Sequence, residues 1–236
     1  MFWRFGGYAN ISTLDSILDK PDVTLEELLD ESDLIQELKQ NNSKLIEFLR
    51  EEPILERLLK YVIASEAHEP IGDEPPNAER GSGGGFFGKS RAKSRSKSED
   101  ARAYDQNEKR MKYAYVACEI LSADVWSIAE SLLENIDLLR TFWEYIKLPV
   151  PLDPLQASYF TKVNEALFER KTGDMVKFVK TLDNVVLSMM QHVDCPMLMD
   201  LLLKLISLEG KPGGQGIVDV RLAYSVKSMS IRAFID

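Results

Sequence analysis

From Asp22 to Ile63, Leu and Ile recur at three- and four-residue spacing: Leu25, Leu28 and Leu29, then Leu34, Ile35 and Leu38, then Leu45, Ile46 and Leu49, then Ile54, Leu55, Leu58, Leu59, Val62 and Ile63. That spacing puts one apolar stripe on a helix and leaves the opposite face polar. The stripes break every 8 to 12 residues. The pattern therefore predicts short helices folded back on one another rather than one long coiled coil. Helices this short are marginal alone in water and must stack to bury their stripes.

The boundary residues agree with that reading. Ser12 or Thr13 caps a helix carrying Leu14, Ile17 and Leu18, and Pro21 ends it. Thr24 and Glu27 form a T-x-x-E capping box, in which hydroxyl and carboxylate each satisfy a free backbone N–H. Ser32 or Asp33 restarts the chain as helix, Asn41-Asn42 stops it, and Ser43 starts the next. Pro53 suits a first helical turn, where its missing N–H costs nothing.

The pattern lapses over residues 66–105, which are poor in aliphatics and rich in Gly, Pro and Ser. Such a stretch buries too little apolar surface to offset the entropy of ordering, so it is expected to be a long disordered insertion. Helical pattern resumes near Gln106, with Met111, Ala114, Tyr115, Cys118 and Leu121 as its stripe. Helices follow over about 124–134 and 136–147, the second carrying Leu138, Leu139, Phe142, Trp143 and Ile146. After a Pro-rich turn, Asp153 caps a helix with Pro154 at its first position and Leu155, Tyr159, Val163, Leu167 and Phe168 along it. Gly173 is its expected stop. Two more helices are expected over about 174–191 and a last one from Pro196 to Leu208.

No strand pattern appears. Helix pairs at roughly 40-residue spacing predict an all-α, irregular HEAT- or armadillo-like helical-repeat solenoid. Its parts are N-terminal repeats over 1–65, the disordered insertion over 66–105, continued repeats over 106–209, and an atypical tail over 210–236 without a clean stripe. Phe2, Trp3, Phe5 and Tyr8 form an aromatic arm, read as packed on the first helices or as an anchor for a partner.

Charge narrows the function. The chain carries 29 Lys and Arg against 38 Asp and Glu, a net charge of −9, which excludes a general nucleic-acid binder. The distribution is uneven: net −10 over residues 1–80, +5 over 81–112 and −4 over the remainder. Cys118 and Cys195 lie in apolar contexts, no CxxC pair exists, and His68 and His192 are far apart, so no zinc site is expected and a reducing compartment fits. Neither a secretory leader nor an apolar run of about 18 residues is present, so no membrane span is expected. Residence is expected in the cytoplasm, with nuclear entry as a second option.

Three features resemble sites and are weighed as such. Gly83-Gly84-Gly85-Phe86-Phe87-Gly88-Lys89-Ser90 matches the phosphate-loop pattern GxxxxGK[ST], but no apolar strand leads in and no core-facing helix follows, so it is read as accidental. Ser94 and Ser98 each follow an Arg by three residues and are candidate phosphosites, where phosphate would cancel the basic island. Glu26, Glu27, Asp30, Glu31, Asp33 and Glu37 lie opposite the apolar stripes, either as a solvated helix face or as a partner-binding face. His192 and the methionines around it are read as structural. No cofactor and no small-molecule substrate is implied, and no catalytic constellation is found.

Several blocks of this sequence resemble the SAPS-domain family, regulatory subunits of protein phosphatase 6-type Ser/Thr phosphatases. The similarity lies in Asp22–Asp30, Asp33–Lys39 and Lys44–Leu49, in the MFW-x-F opening, and after the insertion in Lys112-Tyr113, Cys118–Ser122, Asp124-Val125, Pro151–Phe160 and Met199–Leu205. The resemblance implies a helical-repeat scaffold that binds a phosphatase catalytic subunit and directs or modulates it, without enzymatic activity of its own. The basic Ser-rich insertion is similar to the fungal branch, for which it implies a cell-cycle role. No individual contact residue is carried over. The similarity fades after Gly216–Asp219, so the chain is expected to be an N-terminal fragment or shortened product, with apolar surface left open on the Met197–Leu208 helix and poor solubility as the consequence. The competing reading is a HEAT-like adaptor in nuclear transport or trafficking that uses the basic island.

Overall fold

Thr24 opens its helix as the capping box requires: its Oγ1 accepts the Glu27 N–H at 3.3 Å, and the Glu27 carboxylate accepts the Thr24 N–H at 3.5 Å. The computed structural model describes residues 13–64, 95–210, 214 and 216, the side chains of 13 and 95–103 apart. Among them the order is α1 Thr13–Leu18, α2 Leu25–Asp30, α3 Leu34–Lys39, α4 Ser43–Leu49, α5 Glu52–Ile63, α6 Arg95–Ser122, α7 Trp126–Glu134, α8 Ile136–Trp143 with a 3-10 turn Glu144–Lys147, α9 Pro154–Arg170, α10 Thr172–Val179, α11 Val185–Met190 and α12 Pro196–Glu209. No strand occurs among the described residues. The fold is all-α, as the periodicity predicts.

The helices stack in register. Tyr115 of α6 meets Tyr159 of α9 with ring centroids 6.5 Å apart, Glu119 pairs with Lys162, and Arg170 reaches the Ser122 carbonyl at 2.9 Å. Residue numbers rise together along both helices, so α6 and α9 are parallel. The same holds for α9 and α12, where Thr161 donates to the Met197 carbonyl at 3.2 Å and Lys204 pairs with Glu169 at 3.1 Å. Parallel neighbours separated by intervening helices are what a helical-repeat stack produces.

One hydrophobic cluster runs from Leu14 of α1 to Leu208 of α12, so the helices before and after the insertion share a core. Phe160 sits at an aromatic centre of it, 4.8 Å from Phe142, 5.0 Å from Tyr145 and 5.6 Å from Trp143. The chain approaches α5 beside α7, where Arg50 Nε donates to Ser131 Oγ at 2.8 Å. It leaves α5 beside α6 and α9, where Tyr61 packs edge-on against Tyr113 at 5.5 Å and Gln156 donates to the Ala64 carbonyl.

Several boundaries differ from the sequence expectation. The helix expected from Gln106 begins at Arg95, eleven residues earlier. Ala101, Ala103, Lys97 and Arg102 favour helix without needing burial, so an apolar stripe alone misses this start. The stripe on α6 is also rotated: Met111 (48% exposed) and Tyr115 face outward, while Tyr113, Ala117 and Ile120 are buried with Ala114, Cys118 and Leu121. Leu155 is likewise exposed on α9, where Ala157, Phe160 and Leu167 are buried. Gly173 does not stop α9; it lies inside α10, and Lys171 is the C-cap of α9. Asn42 rather than Ser43 caps α4, accepting the Leu45 N–H at 3.2 Å, while Asn41 takes the turn at φ 59°. Asp153 caps α9 as predicted, accepting the Gln156 N–H at 2.9 Å. Residues 65–94 lie outside the described residues, and with them the Gly83–Ser90 match and Ser94; so does the aromatic arm at Phe2–Tyr8.

Candidate docking surfaces

The six acidic residues singled out by the sequence lie on α2, α3 and their junction, and most of them face inward contacts. Glu26 is half-buried between α2 and α5, where it accepts from both Arg57 and Tyr61. Asp30 bridges α2 to α6: it takes Lys112 Nζ at 2.7 Å and the Tyr113 hydroxyl at 3.0 Å. The Lys112 bond holds the Asp30 carboxyl below the usual carboxylate range. Burial first, and the bond to Asp30 second, push the Tyr113 hydroxyl up to about 12. Burial and Glu26 push Tyr61 upward in the same way. Glu27 belongs to the capping box and lies 3.9 Å from Lys20. Glu37 accepts from Asn42 Nδ2 at 3.1 Å, and that amide also donates to Asp15 at 2.9 Å.

Only Glu31 and Asp33 point away from such work. Glu31 has no side-chain partner among the described residues, and Asp33 accepts only from its neighbour Ser32 at 3.2 Å. What the structure brings together is therefore a polar clasp, Glu26–Arg57–Tyr61 beside Tyr113–Asp30–Lys112, with the two tyrosine rings in contact. It joins the helices before the insertion to the helix after it. Its anionic groups are each paired, so its chemistry is structural.

A second surface escaped the sequence reading. Helices α7, α8 and α10 frame a groove of about 310 Å³. Leu133, Ile136 and Phe178 give it an apolar lining, and Ile136 is 44% exposed. Charges of both signs stand around it. Lys171 lies 3.6 Å from Glu130 and 4.2 Å from the ring centroid of Trp126, and Lys177 lies 2.9 Å from Asp174. Glu134 lines the groove with no partner among the described residues. Trp126, beside Lys171, is 59% exposed. The available signal was Trp126 standing off the Ile128–Leu132 stripe of α7, where a large apolar side chain is not needed for the core.

Residues that can carry chemistry elsewhere are sequestered. His192 is fully buried and its Nε2 donates to the Ile146 carbonyl at 2.9 Å. Cys118 is buried, its Sγ lies 3.8 Å from the Tyr159 carbonyl, and burial pushes its thiol up to about 12. Among the described residues no group of three His, Cys, Asp or Glu side chains could hold a metal ion, and no helix is long and apolar enough to cross a membrane. Ser98 lies in the first turn of α6.

Comparison with known proteins bears on these surfaces. The family profile "SAPS: SIT4 phosphatase-associated protein" matches residues 164–234, so the similarity continues past Asp219, where the sequence reading expected it to fade. Extragenic suppressor of kinetochore protein 1 of Schizosaccharomyces pombe is 37% identical over 224 residues, 93% of this chain. The chain belongs to the SAPS family. Serine/threonine-protein phosphatase 6 regulatory subunit 1 of Homo sapiens is 34% identical over 90% of the chain, and SIT4-associating protein SAP190 of Saccharomyces cerevisiae is 39% identical over 45% of it. The alignments cover 23%, 20% and 10% of those three proteins, so this SAPS chain spans a quarter or less of its relatives' length. No solved structure matches it.

Proposed function

We propose that this SAPS-family chain acts as a non-catalytic regulatory scaffold that binds the catalytic subunit of a protein phosphatase 6-type Ser/Thr phosphatase and modulates or targets its activity. The observation that carries the reading is the similarity along nine-tenths of the chain to a protein named a phosphatase 6 regulatory subunit. The similarity to a kinetochore suppressor over 93% of the chain supports a cell-cycle setting. The physical features are compatible with scaffolding: a shared core from Leu14 to Leu208 holds the stacked helices in one register, and the nucleophilic Cys118 is buried.

The test is co-purification of the tagged full chain with a recombinant phosphatase 6-type catalytic subunit, followed by dephosphorylation of a phosphopeptide with and without the chain. Stoichiometric retention with a changed rate in the complex is expected, and no phosphate release by the chain alone. Failure of the catalytic subunit to stay with the chain overturns the reading.

A further inference from the structure

Helix α12 packs on α9 and α11 and buries Leu198, Leu201, Leu202, Leu205 and Leu208. Beside that buried arc runs a second apolar stripe, Met199, Leu203 and Ile206, at four- and three-residue spacing. Leu203 is 50% exposed, and Met199 and Ile206 are half-buried. A helical stack closes on a polar outer face, and α12 does not present one here. We propose that residues 217–236 dock on this stripe as a further helix, antiparallel to α12, and close the stack.

The course of the chain points to that segment. After α12 ends at Glu209, the Gly216 N–H donates to the Glu209 carboxylate at 2.8 Å. Gly216 makes that return at φ 89°, which a side chain would oppose. Residue 217 therefore starts beside the C-terminal end of α12, and a helix leaving there meets the stripe by running back along it. The length suffices: residues 217–236 as helix span about 30 Å, against about 21 Å for the 14 residues of α12. The family profile that covers α10 to α12 also continues to residue 234, so the segment belongs to the same unit as those helices.

The side chains match as well. Val218, Leu222, Val226 and Met229 recur at four, four and three residues, which places them on one helix face. Set antiparallel, Val218 faces Ile206, Leu222 faces Leu203 and Val226 faces Met199, all within about 2 Å of register. Val220, Tyr224 and Ile231 fall on the opposite face, so the two sets interleave and neither stands out in the sequence. Other apolar segments enter the fold elsewhere. The aromatic arm Phe2–Tyr8 joins at α1, which packs on α2 and α4. Phe86-Phe87 lies in the stretch that leaves α5 beside Gln156 of α9 and re-enters at Arg95 of α6. Only residues 217–236 are delivered to the end of α12 by the chain itself. The inference is independent of the phosphatase reading.

The experiment is cysteine cross-linking in the full chain under mild oxidation, with the linked peptides identified by mass mapping so that Cys118 and Cys195 are told apart. Leu203→Cys is combined in turn with Leu222→Cys, with Tyr224→Cys on the opposite face, with Phe5→Cys and with Phe87→Cys. The Leu203→Cys/Leu222→Cys variant should link within one chain at least about tenfold more than the Tyr224→Cys combination, because a disulfide needs facing side chains with Cα atoms no more than about 7 Å apart. Ile206→Cys with Val218→Cys repeats the test at a second point of the register and serves if the first pair alters the melting temperature. Equal linking at Leu222 and Tyr224, or linking at neither, overturns the proposal. Preferential linking to the Phe5 or Phe87 position overturns it by giving the stripe to another segment, and Leu203→Cys disulfides between two chains do so by giving it to a second copy.

Discussion

The α2 face and the α7–α10 groove are both rich in carboxylates, and they differ in what those carboxylates meet. On α2, Glu26 and Asp30 are held by Arg57, Tyr61, Lys112 and Tyr113 from two other helices. At the groove, Glu134 lines the same surface as Leu133, Ile136 and Phe178 and has no partner among the described residues. Six acidic residues over twelve positions look like the stronger signal in the sequence, yet most of that charge is bound internally. The groove has less charge and more of it available. A count of like charges measures neither pairing nor access, and recognition depends on both.

The comparison is tested most severely at Tyr61. It is buried, touches Tyr113 and donates to Glu26, so Tyr61→Ala removes packing and a bond together. A loss of about 3–5 kcal/mol is expected in urea denaturation. Tyr61→Phe keeps the ring and should cost about 1 kcal/mol. Two equally stable variants would show that the clasp is incidental to the fold.

Next in size is Asp30→Asn, which gives up the charged part of the α2–α6 bridge. Both partners of the Asp30–Lys112 pair are about half exposed, so screening limits the cost to about 0.5–1 kcal/mol. The pH dependence has a definite sign. The Asp30 carboxyl titrates below its unfolded value, so its contribution is present above the ordinary carboxylate range and is lost as pH falls through the folded value. The melting-temperature gap between the unsubstituted chain and Asp30→Asn should be open at neutral pH and close in strong acid. Tyr113 acts at the other end. Its hydroxyl is raised to about 12, so it contributes below the ordinary tyrosine range of about 10 and that contribution is lost as pH rises through about 12. A Tyr113→Phe variant should therefore lose less stability than the unsubstituted chain on going from neutral to strongly alkaline solution.

The smallest effect is expected at the groove. Glu134→Gln removes an exposed charge that has no partner among the described residues, and the change should stay within about 0.5 kcal/mol. A large destabilisation there would show that Glu134 has an internal role, and the contrast between the two surfaces would collapse. Triple charge reversal at Glu27, Asp30 and Glu31 separates them from the other side: it should destabilise the fold through Asp30 and the capping box rather than report on a free binding face.

Much of the fold is legible in the amino-acid sequence. The Thr24–Glu27 box, the Asp153 cap and the Leu stripes of α2, α4 and α5 are local signals, and each depends on residues three or four apart. The misses have two causes. The early start of α6 comes from residues that favour helix without forming an apolar stripe, whereas the outward turn of Met111 and Tyr115 depends on which neighbour the helix meets, and that neighbour comes from distant sequence. The candidate site was less legible for the same reason. Glu26 and Arg57, or Asp30 and Lys112, are 31 and 82 residues apart, and nothing in either local window announces the other.

The sequence by itself determined the helical class, most helix starts, the family resemblance and the absence of a general nucleic-acid-binding charge, because periodicity, capping and net charge are properties of short windows or of sums over the chain. Tertiary structure alone decided which acidic residues are occupied, that one core joins the two sides of the insertion, and that an apolar groove opens beside Glu134. Pairing and access are set by distances between side chains on different helices, and those distances exist only once the helices have stacked.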